Sequence, residues 1–137
     1  MRKVLVVDDE ERTLRSIRAF LTHSGYEVVT AKSGEEGLTQ VLRHAPDVVV
    51  LDLVMQGMTG YEFLESLRSH STTPVIATST GSGFEVEAFR SGANAVLRKP
   101  FSKEALSREI DALLREDRSL PKEQADPTSA QDATRPD

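Results

Sequence analysis

Apolar and polar positions along this chain fall into two alternating patterns. Nearly unbroken apolar, β-branched runs occur at residues 3–7, 27–30, 47–51, 74–78 and 95–97, the pattern of strands buried on both faces of a sheet. Between them, apolar residues return at helical spacing. Leu14, Ile17 and Leu21 precede a stop at Gly25. Leu38, Val41 and Leu42 share a face behind Ser33-Gly34-Glu35-Glu36, which has the Ser-x-x-Glu form of a capping box. Phe63, Leu64 and Leu67 turn inward over residues 61–69, and a shorter helix over 84–90 ends at Gly92. Leu106, Ile110, Leu113 and Leu114 make one stripe after a Ser102 cap. Strand and helix thus alternate five times, which predicts an α/β fold: a parallel sheet covered by helices on both faces, with right-handed crossovers.

From residue 118 onward the pattern changes. Pro121, Pro127 and Pro136 sit among polar and charged residues with almost no apolar content. Such a segment cannot bury enough surface to order itself, so one domain over 1–117 and a disordered polar tail or linker over 118–137 are expected. The 137 residues leave room for one ordinary domain. The chain has no cysteine, so disulfides, zinc fingers and thiol chemistry are excluded. A net charge of −5 gives no bulk attraction to nucleic acid. The longest apolar stretch, near Asp52, is too short to span a bilayer, and Met1-Arg2-Lys3 leads directly into a strand without a signal-peptide layout. No nucleic-acid or membrane partner is expected, and a cytoplasmic setting is.

In open parallel sheets, ligands bind at the carboxyl ends of the strands, beside the reversal of strand order. The ends of the predicted strands carry Asp8, Asp9 and Glu10; then Asp52; then Thr78, Ser79 and Thr80; then Lys99 and Pro100. Carboxylates sharing one crevice repel one another unless a cation sits among them, and an all-oxygen donor set suits Mg²⁺. Lys99 supplies a point charge and Ser79 a hydroxyl for phosphoryl oxygens, while an unprotonated carboxylate can serve as nucleophile. Each feature taken alone has a plainer reading: an aspartate at a strand end is usually a turn or helix cap, and Lys-Pro is a common turn. Their joint arrival on one sheet edge favours phosphoryl transfer. Gly81-Ser82-Gly83 lacks the third glycine of a dinucleotide fingerprint, and no Gly-x-Ser-x-Gly elbow is present. His23, His44 and His70 fall on helices or their ends and read as surface residues.

Four stretches resemble the response-regulator receiver family of two-component signalling, with CheY-like members. These are Val4-Leu5-Val6-Val7-Asp8-Asp9-Glu10, the block from Asp47 through Asp52 to Gly60, Pro74-Val75-Ile76-Ala77-Thr78-Ser79, and Lys99-Pro100-Phe101. The resemblance implies a flavodoxin-like (βα)5 doubly wound sheet of order 2-1-3-4-5. It implies Asp52 as phosphoacceptor, with Mg²⁺ held by Asp8, Asp9, Asp52 and the backbone carbonyl of Val54. Ser79, flanked by the candidates Thr78 and Thr80, would be the switch hydroxyl, Lys99 the phosphate-binding lysine, and Lys99–Pro100 a cis peptide. The donor would be a sensor histidine kinase or phosphotransfer protein, with no enzyme activity beyond self-phosphorylation and autodephosphorylation. The sequence departs from the family in four ways: Gln56 replaces the loop's usual proline, Val96 stands where an aromatic is common, Thr80 follows the switch position, and the 79–99 stretch is a residue or two short. Three outcomes stay open: a stand-alone receiver, the N-terminal receiver of a longer DNA-binding regulator, and a phosphorylation-independent pseudo-receiver scaffold. A haloacid-dehalogenase-like phosphatase would need an aspartate where Val54 stands.

Overall fold

A computed structural model describes residues 1–119. The strands are β1 (Lys3–Val7), β2 (Glu27–Ala31), β3 (Val48–Asp52), β4 (Val75–Ser79) and β5 (Ala95–Arg98), alternating with α1 (Glu11–His23), α2 (Gly34–His44), α3 (Gly60–Arg68), α4 (Glu85–Ser91) and α5 (Lys103–Ser119). All pairings are parallel and the strand order is β2-β1-β3-β4-β5. The chain winds outward from β1 to β2, then crosses to β3 and winds the other way, so the reversal falls between β1 and β3. β3 and β4 are buried along their whole length, which explains why they read as continuous apolar runs.

Each face of the sheet has its own core. Leu5, Val7, Val49, Leu51, Val75 and Ala77 pack with Phe63, Leu64, Leu67 and Ala88 beneath α2, α3 and α4. Val4, Val6, Val48, Val50 and Ile76 pack with Leu14, Leu21, Leu106 and Ile110 beneath α1 and α5. The strict alternation of these two sets along each strand is the pleat at work.

Helix ends follow local chemistry. Gly25 closes α1 at φ 102°, a region where glycine carries no Cβ penalty. Ser33 caps α2 by accepting from Glu36 N–H, but the Glu36 carboxylate accepts from Lys32 N–H instead of closing the reciprocal box on Ser33. The complete capping box lies at α3, between Thr59 and Glu62, where the local sequence is Thr-x-x-Glu. Leu42 is 76% exposed, so it does not share the inward face of Val41; one step along a helix rotates a side chain about 100°, which carries it off the apolar stripe. Phe84 is the buried N-cap of α4 rather than its first residue, and α4 spans only seven residues. His23 and His70 are exposed and His44 is half-buried. α5 continues through Ser119, and the remainder of the tail expected from residue 118 lies outside the described residues. Among the described residues, no helix is long and apolar enough to cross a membrane.

Candidate divalent-ion and phosphoryl site

The carboxyl ends of β1, β3 and β5 bring Asp8, Asp9, Asp52 and Lys99 together. One carboxylate oxygen from each of the three aspartates lies within 4.8 Å of the others. Lys99 Nζ donates to Asp8 Oδ2 at 3.0 Å and stands 3.7 Å from Asp52 Oδ2. Asp8 is 3% exposed and Asp52 7%, so both carboxylates have left bulk water and need internal partners. Asp8 Oδ1 accepts from Glu10 N–H at 2.9 Å, which also sets the approach to α1. Asp52 Oδ1 accepts from Val54 N–H at 3.2 Å. Asp9 is exposed, and its Oδ2 accepts from Gln56 N–H at 3.1 Å, a contact across 47 residues of sequence.

The Asp52 carboxyl is pushed up from its ordinary 3.8 to about 6. Burial is the main cause and the neighbouring Asp8 charge the second; Lys99 and the Val54 amide pull the other way. The site therefore carries more negative charge than its single ammonium offsets. Three hard oxygen donors clustered in this way fit a small divalent cation, which would relieve the repulsion.

The rest of the site is built from the sheet and one glycine. Gly60 begins α3 against the strand end: a Cβ there would lie 2.5 Å from Leu53 Cα and 2.7 Å from the Asp52 carbonyl oxygen. Gly60 N–H donates to Leu53 O at 3.0 Å and Leu53 N–H to Thr78 O at 2.9 Å, which clamps the backbone after Asp52 between α3 and β4. In the sequence Gly60 is one residue of a longer motif; its role in close approach shows only in the tertiary contact.

The three hydroxyl candidates differ in position. Thr78, paired with Asp52 in the β3–β4 register, donates its hydroxyl to Leu51 O at 3.2 Å. Ser79 is buried, and its hydroxyl reaches only the carbonyl of the next residue, Thr80, at 3.2 Å. Thr80 is exposed. Among the described residues, no hydrogen bond joins any of these hydroxyls to the acidic cluster or to Lys99. The Lys99–Pro100 peptide is cis, as the resemblance implies. Val54 is 68% exposed beside Asp52, and half-buried Val96 packs against the α2–α3–α4 core.

Comparison with known proteins gives the family and the fold. The family profile described as "Response regulator receiver domain" matches residues 4–111. The transcriptional regulatory protein KdpE of Mycobacterium tuberculosis is 41% identical over 117 residues, covering 84% of this chain and 52% of that protein. Among solved structures, the Vibrio cholerae chemotaxis protein CheY4 superposes with a TM-score of 0.80 at 34% identity, covering 83% of this chain and 99% of that one. A receiver domain protein from Clostridium thermocellum gives 0.82 at 30% identity, covering 88% and 100%. The chain spans about half the length of the curated relatives it matches.

Proposed function

This chain belongs to the response-regulator receiver family of two-component signalling, and we propose that it works as a switch set by phosphorylation of Asp52. The observation that carries the reading is the convergence of three carboxylates and one ammonium from residues up to 91 positions apart. Asp8, Asp9, Asp52 and the carbonyl of Val54 would hold Mg²⁺, which when bound offsets the carboxylate charge and that of the incoming phosphoryl group.

The remaining work falls to the chain's own groups. Val54 N–H holds Asp52 Oδ1, leaving Oδ2 on the Lys99 side to attack phosphorus. An O–P bond forms on Asp52 as the P–N bond of a phosphohistidine donor breaks, and the imidazole leaves. Lys99 then exchanges part of its contact with the aspartates for a phosphoryl oxygen. Ser79 is the hydroxyl best suited to follow: its bond to Thr80 O is local and easily surrendered, whereas the Thr78 hydroxyl is committed to β3. The donor is a sensor histidine kinase or phosphotransfer protein, and since such donors are charged from ATP, the cytoplasm is the setting. No turnover is proposed beyond uptake and loss of the phosphoryl group. The new charge then shifts the population of loop and helix surfaces that partners read.

Incubation with Mg²⁺ and acetyl phosphate will add one phosphoryl group by intact mass, and Asp52→Asn will abolish the addition. An equal mass gain in that variant, or none in the wild type, rejects the reading; the second result favours a pseudo-receiver scaffold.

A second reading concerns context. The curated relatives are about twice as long and include transcriptional regulatory proteins, which favours a receiver that forms the N-terminal part of a longer DNA-binding regulator. The length of the native gene product decides this.

A further inference from the structure

Asp9 differs from its two neighbours in how its charge is met. Asp8 and Asp52 share the Lys99 ammonium, but among the described residues Asp9 has no ion pair. Its one tertiary partner there is the amide of Gln56 at 3.1 Å. A proline at this position would have no N–H to give. Gln56 is exposed, so its side chain is not what the core selects. Loop geometry reinforces the contact. Met55, one residue before, is buried in the α2–α3–α4 core, and Gly57, one residue after, turns the backbone at φ 77°. The Gln56 amide is thus presented from a turn anchored on one side by buried Met55.

From this contact we propose that the backbone N–H of Gln56 is a positioning group for the divalent-ion site, holding the Asp9 carboxylate within reach of Asp8 and Asp52 before any ion arrives. The proposal rests on the reading of those three aspartates as the ion's ligands. An exposed aspartate is otherwise free to turn into solvent, and binding must then fix its rotamer at an entropic cost. A charge-assisted bond from a fixed amide removes part of that cost and part of the carboxylate's repulsion with its neighbours. The carboxylate keeps its second oxygen, and the other lone pair of Oδ2, for the ion.

The test compares Gln56→Pro, which deletes the N–H, with Gln56→Ala, which keeps it, in the full chain, using Mg²⁺ alone and isothermal titration calorimetry. Gln56→Pro will weaken Mg²⁺ binding by about three- to tenfold, the range for the net contribution of one ordinary hydrogen bond, and Gln56→Ala will stay within about twofold of wild type. In an Asp9→Ala background the proline will make no further difference, because the group it acts through is gone. Gln56→Pro binding as tightly as wild type or tighter overturns the proposal. So does an equal loss in the Asp9→Ala background, which would signal a distorted loop. If Asp9→Ala alone leaves Mg²⁺ binding unchanged, the ligand reading itself falls along with the proposal. A second measurement needs neither ion nor proline: the amide proton resonance of Gln56 in metal-free protein will shift upfield in Asp9→Ala, and an unmoved resonance overturns the proposal.

Discussion

Lys99 Nζ stands 3.0 Å from Asp8 Oδ2 and 3.7 Å from Asp52 Oδ2, so a single ammonium from the end of β5 bridges carboxylates from β1 and β3. It sits against two of the three carboxylates that would hold a divalent ion, and the two positive charges repel one another there. In Lys99→Met, Mg²⁺ affinity will rise by about two- to fivefold as this repulsion ends. Phosphorylation by acetyl phosphate, followed by intact mass, will slow by about tenfold or more because a phosphoryl oxygen loses its partner. A variant phosphorylated at the wild-type rate would remove Lys99 from the site's chemistry.

Asp52 makes metal-free stability depend on pH. Its folded-state value of about 6 lies above the ordinary 3.8, so between those values the folded protein binds more protons than the unfolded chain. Stability from this group is therefore fully present below about pH 4 and is lost as pH rises through about 6. Asp52→Asn, which cannot ionise, will match wild type near pH 4 and exceed it by about 1–3 kcal/mol near pH 7 in urea titrations without metal. Saturating Mg²⁺ will narrow the gap by stabilising wild type. Parallel pH profiles for the two proteins would contradict the burial and charge repulsion that raise the Asp52 value.

Gly60 is a packing requirement at the site. A methyl group there meets the backbone of Leu53 and the Asp52 carbonyl, neither of which can swing aside as a side-chain tip would. Gly60→Ala will cost about 1–3 kcal/mol by chemical denaturation and will also weaken Mg²⁺ binding, since relief requires moving the chain that carries Asp52. Wild-type stability and affinity in this variant would mean the α3 start is free to shift.

Arg68 braces the opposite edge of the sheet. Its guanidinium donates to Gly92 O at 3.0 Å, Ser71 O at 3.1 Å and Asn94 Oδ1 at 2.9 Å, and burial holds its pKa below the usual arginine value. Asn94 Oδ1 accepts from Val75 N–H as well, so the network ties the end of α3 to the starts of β4 and β5. Arg68→Ala will destabilise the fold by about 1–3 kcal/mol and leave Mg²⁺ affinity unchanged, because the site lies at the other end of the strands. A change in affinity would show that strain passes through the sheet.

Much of this protein is written locally. Val4 to Val7, Val48 to Leu51 and Val75 to Ala77 announce buried parallel strands because a residue enclosed on both faces has no polar option. Gly25 and Gly92 mark helix ends because the backbone there enters a region that favours glycine. The acidic pair after β1 and the aspartate after β3 could be assigned to one edge from strand direction alone. Local signals failed where two readings compete at one residue, as at Leu42, apolar yet exposed, and at Glu36, whose carboxylate chose Lys32 over Ser33. Only the folded chain decided which groups meet. Lys99 touches Asp8 across 91 residues, Gln56 offers its amide to Asp9 across 47, and Gly60 presses on the backbone beside Asp52. Periodicity specifies which way a side chain faces within its own element. Distances between elements are set by how both cores pack around the sheet, and no local pattern encodes them.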